Sequence, residues 1–322
     1  MGFLLTVCAA ACVGAEKMPM LESVKRIWDR GEYNSFTDLV RFERKWVCVF
    51  REGTAHAGDV GAARVIVSGD GETWESAALL REDGIDLRDP KVSIAPDGRL
   101  MLLIGGTIYT SQENPIRRSM VSFSRDARRW TSWQQVVPDG HWLWRVTWHR
   151  GVGYGASKLG DGSIPKRGFL WQTRDGVRYE LIHEFDVPGM SETTLRFTNA
   201  DEAIALVRRT GPGGGNAWIG ASNPPYTQWR WSETDRPVGG PNFLIHRDAQ
   251  MWATSRVYAE QPTTGLFRMT RDRLELVLTF PSGGDTSYAG MVWHEGVLWM
   301  SYYSSHEVKP SIYLARVRLR NQ

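Results

Sequence analysis

One seven-residue pattern returns through the chain at a nearly constant interval and limits the possible folds more than any other feature. Ser68-Gly69-Asp70-Gly71-Glu72-Thr73-Trp74 is followed by Ser124-Arg125-Asp126-Ala127-Arg128-Arg129-Trp130 and by Thr173-Arg174-Asp175-Gly176-Val177-Arg178-Tyr179. Weaker copies occupy Ser222 to Trp229 and Thr270-Arg271-Asp272, so the first positions lie 56, 49, 49 and 48 residues apart. Each copy follows a short β-rich run such as Ala63 to Val67. The chemistry is that of a hairpin turn, in which Asp accepts backbone N–H groups, Gly supplies positive φ and the aromatic packs beneath.

A second feature has the same period. Paired apolar runs separated by turn residues begin near Thr37, Asp89, Trp144, Glu192, Pro241 and Tyr288. Two strands before each Asp turn and further strand after it make four-stranded units of about fifty residues, which is the sequence signature of propeller blades. Ile312 to Leu319 supplies the third strand of the last unit, and Val24 to Asp29 is placed to supply its fourth. The expected fold is all-β, a six-bladed β-propeller over 16–322. The length of 322 residues, which a simple prior would divide into two domains, then describes one ring.

Composition agrees. Fifteen Trp and 33 Gly suit a turn-dense β fold, and 42% hydrophobic with 23% charged residues excludes disorder. A net charge of +3 with no basic block excludes a nucleic-acid binder. The apolar run Phe3 to Val13, then Val13-Gly14-Ala15 before Glu16, reads as a signal peptide over 1–15, with lipoprotein attachment at Cys12 as the variant. No later segment reaches the roughly 18 apolar residues of a membrane span. A secreted or periplasmic, monomeric chain is expected. Cys8 and Cys12 leave with the signal, so Cys48 has no partner for a disulfide.

Blade geometry gathers the starts of first strands and the ends of second strands at one mouth, with the Asp turns at the other end. Strand starts bring Asp38, Arg88, Asp89, Arg145, Glu192 and Tyr288 there; strand ends and their loops bring Arg51, Glu52, His56, Asp59, Lys158, Arg208, Arg209, Arg256, His306 and Glu307. The seven histidines lack HExxH or paired ligand spacing, so neither a metal nor another cofactor is expected. The glycine run Gly211 to Gly215 lacks the Lys-Ser/Thr of a phosphate loop.

Six strand-pair units with Ser-x-Asp-Gly-x-Thr-Trp turns resemble the sialidase (neuraminidase) superfamily. The resemblance implies an exo-acting glycoside hydrolase on a terminal acidic sugar of a glycan or glycoconjugate. It implies Tyr288 as nucleophile with Glu192 as its partner, and Asp59 as acid/base. A phenol with a pKa near 10 needs such a carboxylate to take its proton. Of the family's arginine triad, Arg208 or Arg209 and Arg256 match approximately. The first has no match, because Ser35-Phe36-Thr37-Asp38 stands where the family has Arg-Ile-Pro; Arg51 and Arg88 are the candidate replacements. Arg145, His56 and His306 complete the expected substrate-binding set. Arg88-Asp89-Pro90 also resembles a motif of propeller furanosidases, which would give Asp38, Asp89 and Glu192 the base (or nucleophile), stabiliser and acid roles. A non-catalytic glycan-binding propeller is the third reading.

Overall fold

The computed structural model describes residues 18–110, 115–160, 166–246 and 249–319. The expected signal segment 1–15 and Cys12 lie outside them. All regular structure among the described residues is strand, arranged as six four-stranded antiparallel sheets. Among the described residues, no helix is long and apolar enough to cross a membrane. Each blade takes its innermost strand first: Tyr33–Phe42, Asp86–Ile94, His141–His149, Met190–Phe197, Asn242–Ile245 and Thr286–His294 for blades one to six. Met20–Trp28 forms the outer strand of blade six and pairs antiparallel with Ser311–Arg318, placing Val24 opposite Ala315. The ring therefore closes between the two ends of the chain, where the sequence placed the closure.

Side chains of a strand alternate between faces, so each blade is apolar on both. In the second strand of blade one, Val47 and Val49 enter the seam with blade two. Trp46, Cys48 and Phe50, the intervening positions, enter the seam with blade six beside Trp299 and Leu314. Blade two repeats the division, with Leu100, Leu102 and Ile104 facing blade one and Met101 and Leu103 facing blade three. The core is thus a set of apolar seams between sheets. Cys48 is buried and unpaired in one of them.

At one end of the ring stand the Ser/Thr-x-Asp turns. Asp70 Oδ1 accepts from the backbone N–H groups of Glu72 and Thr73 at 2.8 and 2.9 Å. Asp126 and Asp175 repeat that pair of bonds. Trp74, Trp130 and Trp229 each donate their indole N–H to the carbonyl three residues earlier. That carbonyl belongs to a left-handed residue: Gly71, Ala127 or Tyr226.

Candidate functional site

At the other end, the inner strands are interrupted at one register position. Between Ser35 and Asp38, Arg88 and Lys91, Leu143 and Val146, Met190 and Thr193, and Ser287 and Gly290, two residues oppose one partner residue. These are β-bulges, which turn a side chain out of the ladder. Phe36, Asp89 and Tyr288, all non-glycine, carry φ values of 60, 49 and 55° there. Such left-handed conformations cost energy and gather at functional sites. The bulges of blades one, two, four and six supply Phe36, Asp89, Glu192 and Tyr288 to one cavity of about 800 Å³. His56, Arg88, Tyr109, Trp142 and Lys158 are among the residues completing its wall.

Tyr288 Oη donates to Glu192 Oε1 at 2.7 Å. Arg208 Nη1 donates to the same carboxylate oxygen at 2.6 Å and to Tyr288 Oη at 3.1 Å. The other carboxylate oxygen, Oε2, accepts from Gly240 N–H at 2.8 Å. A Cβ at Gly240, where φ is +61°, would lie 2.5 Å from Tyr288 Cδ2, so this close approach admits only glycine.

Burial and Glu192 together push the Tyr288 phenol well above its ordinary range. Burial also opposes ionisation of Glu192, yet Arg208, Lys158, the Tyr288 hydroxyl and Gly240 N–H outweigh it and hold the carboxyl below its usual range. Asp89 goes the other way: burial, helped by the Glu192 charge, raises it despite Lys91 and Arg88, and its Oδ1 has no hydrogen-bond partner. Burial brings Lys158 and Lys91 down to about 8. Carboxyl groups pushed apart in this way suit opposite proton-transfer states.

Of the residues singled out from the sequence, Tyr288, Glu192, Asp89, Arg88, His56 and Lys158 line the cavity. Arg208 and Arg256 stand behind it, with the Arg256 guanidinium 6.0 Å from the Tyr288 ring. The others turn elsewhere. Asp59 is tied into its own loop by Arg51 and by Thr54 N–H at 2.6 Å. Those bonds outweigh its partial burial and lower its pKa, the wrong direction for a proton donor. Asp38 is buried, accepting from Val92 N–H at 2.9 Å and Arg145 Nη1 at 2.7 Å, so it ties the inner strand of blade one to those of blades two and three. Arg51 is fully buried between Asp86 and Asp59. Arg209 spans Pro188 O and Glu233 and lies over Trp218. His306 bonds Ser304 and packs on Tyr313.

Sequence reasoning missed Asp285, which accepts from Arg256 at 2.9 Å, Tyr303 at 2.7 Å and Tyr33 at 2.5 Å and meets His56 Nδ1 at 2.7 Å. Its signal was its place in Gly283-Gly284-Asp285, directly before the last inner strand. Phe36 was noted only as an absent arginine, and Gly240 passed unnoticed.

No family model matches the chain, and no curated protein does. Solved structures do. A protein of unknown function from Dyadobacter fermentans aligns with a TM-score of 0.81 at 14% identity, over 94% of this chain and 99% of that one. The α-L-arabinofuranosidase Arb93A of Fusarium graminearum gives 0.70 at 12% identity, over 93% and 98%. Trypanosoma rangeli sialidase gives 0.65 at 13% identity, over 92% of this chain and 58% of that one. The fold is the six-bladed propeller that those two glycosidases share.

Proposed function

We propose that this chain is a glycoside hydrolase that removes a terminal sugar, with Tyr288 as nucleophile and Glu192 as the base that accepts its proton. The observation that carries the reading is the 2.7 Å hydrogen bond from Tyr288 Oη to an ionised Glu192 in the cavity wall. A phenol so strongly disfavoured as an anion attacks only as its proton leaves, and Glu192 is placed to receive it. Arg208, 3.1 Å from the phenol oxygen, stabilises the negative charge that develops. Asp89, whose carboxyl burial pushes upward, offers the unmet oxygen Oδ1 to a sugar hydroxyl. A sialidase and an arabinofuranosidase among the similar solved structures support the coarser reading of a glycosidase.

The wall favours a sugar whose recognition does not rest on an arginine triad. Phe36 occupies the blade-one bulge, Asp285 pairs with Arg256 and Glu192 holds Arg208. A bidentate carboxylate clamp needs guanidinium groups that are not so engaged.

A panel of 4-methylumbelliferyl glycosides, including a sialoside and an arabinofuranoside, tests the proposal. Turnover of at least one member is expected, and it disappears in Tyr288→Phe while the circular dichroism spectrum is kept. Activity that survives Tyr288→Phe but not Asp89→Asn would transfer the chemistry to the Asp89–Glu192 pair. No turnover, with retention on a glycan array, would make the propeller a binding module.

A further inference from the structure

A displacement by Tyr288 drives the leaving oxygen away from the inner-strand bulges and toward the rim, so its proton donor must stand on the rim side of the sugar. Asp89 occupies a bulge of an inner strand, as Tyr288 does, and Asp59 is bonded into its loop. His56 lies in that same loop, between the second and third strands of blade one, and its imidazole lines the cavity with about half of its side chain exposed. The Phe36 ring touches both the imidazole, at 5.2 Å, and the Tyr288 ring, at 5.0 Å.

We infer that His56 is the general acid and base of this site, oriented by Asp285. This rests on the glycosidase reading above.

The tautomer follows from the partner. Burial opposes ionisation of Asp285, but hydrogen bonds from His56, Tyr33 and Tyr303 outweigh it and bring the carboxyl to about 2. An ionised carboxylate only accepts, so Nδ1 carries the hydrogen of the 2.7 Å bond and Nε2 is the exchanging position. The groups facing the imidazole are few. Asp285 and Tyr33 meet Nδ1, and Arg256 and Tyr303 stand behind Asp285. Arg88 donates to the His56 carbonyl at 2.9 Å, which fixes the loop against blade two. Asp285 is thus a positioning residue.

In the first half-reaction Tyr288 Oη bonds to the anomeric carbon as its proton passes to Glu192. The bond to the leaving oxygen breaks, and that oxygen takes the Nε2 proton, leaving as an alcohol. In the second, neutral Nε2 removes a proton from water as the water oxygen bonds to the anomeric carbon. The tyrosyl bond breaks and Oη regains its proton from Glu192. The net change is hydrolysis, with every side chain restored.

The experiment compares leaving groups. With the sugar that wild type accepts from the umbelliferyl panel, kcat/KM is measured on its 2,4-dinitrophenyl glycoside and its methyl glycoside. A phenol that leaves without help needs no acid, so His56→Gln should lose only a few-fold on the dinitrophenyl compound. On the methyl glycoside the loss should be about 10²- to 10⁴-fold. Equal losses on both compounds, or wild-type behaviour on both, overturn the assignment. The wild-type chain gives an independent measurement, because ¹⁵N shifts of the His56 ring should report hydrogen on Nδ1 in its neutral form; hydrogen on Nε2 overturns it. Turnover of no glycoside by wild type overturns the glycosidase reading and this one together, whereas wild-type turnover with an unaffected His56→Gln overturns this one alone.

Discussion

The two ends of the propeller are built from the same strand ladders and solve opposite problems. At the turn end, the Asp carboxylate and the Trp indole of a turn find partners within three residues along the chain, as when Asp70 receives Glu72 and Thr73 and Trp74 reaches back to Gly71. At the mouth, bonds join blades that are distant in sequence: Tyr288 to Glu192, Tyr33 to Asp285, Arg145 to Asp38. Local satisfaction makes a self-contained unit that can be repeated. Long-range satisfaction makes a site that exists only when the ring is assembled, and it leaves groups such as Asp89 Oδ1 unmet. The mouth should therefore be functionally sensitive and the turn end functionally silent.

The largest break in that contrast should come from Glu192→Gln, which removes the proton acceptor and retains the shape. We expect kcat to fall by at least about 10³-fold on any accepted glycoside, with thermal unfolding little changed. Gly240→Ala comes next. Its methyl group meets the Tyr288 ring at 2.5 Å and the backbone must leave φ +61°, displacing both the phenol and the Glu192 bond. A displacement near 1 Å costs about 10² in turnover, and a variant with wild-type kcat would show that the mouth tolerates slack.

Asp285 tests the mouth through stability. Its folded-state pKa of about 2 lies below the ordinary aspartate value of 3.8, so its contribution is complete above pH 4 and is lost as pH falls toward 2. The difference corresponds to about 2 kcal/mol. Urea unfolding followed between pH 5 and pH 2.5 should show a smaller acid loss in Asp285→Asn than in wild type. An unchanged slope would remove Asp285 from the network. The smallest effect belongs to the other end. Asp70→Ala should lower Tm by about 2–3 °C and leave kcat/KM at the wild-type value. A loss of activity there would erase the distinction between the ends.

The same contrast governs how much could be read from the sequence. Ser68, Asp70 and Trp74 interact with near neighbours, so their spacing carried the blade count, and the closing strand followed from completing the sixth blade. Tyr288 and Glu192 could be placed at the mouth because each begins an inner strand, a position that the period itself marks. Asp59 and Asp38 were misplaced because a sequence gives the height of a residue in a blade, not the direction of its side chain. Asp59 turns inward to Arg51, and Asp38 is pulled into the ring by Arg145 and Val92 N–H. The pairing of His56 with Asp285 was hidden for the converse reason. Blade one and blade six are remote in the chain and adjacent in the ring.

The pairing of Met20–Trp28 with Ser311–Arg318 sets a chronology for this protein. During synthesis, Met20–Trp28 is made long before Ser311–Arg318, the strand that it pairs with. Until then its hydrogen-bonding edge is open, with Glu22, Lys25 and Arg26 along it to discourage intermolecular pairing. The mouth draws Tyr288 from the last blade, so an unfinished chain carries turns that are already formed and a site that is not. Completion of the ring and appearance of the site are one event in the life of each molecule.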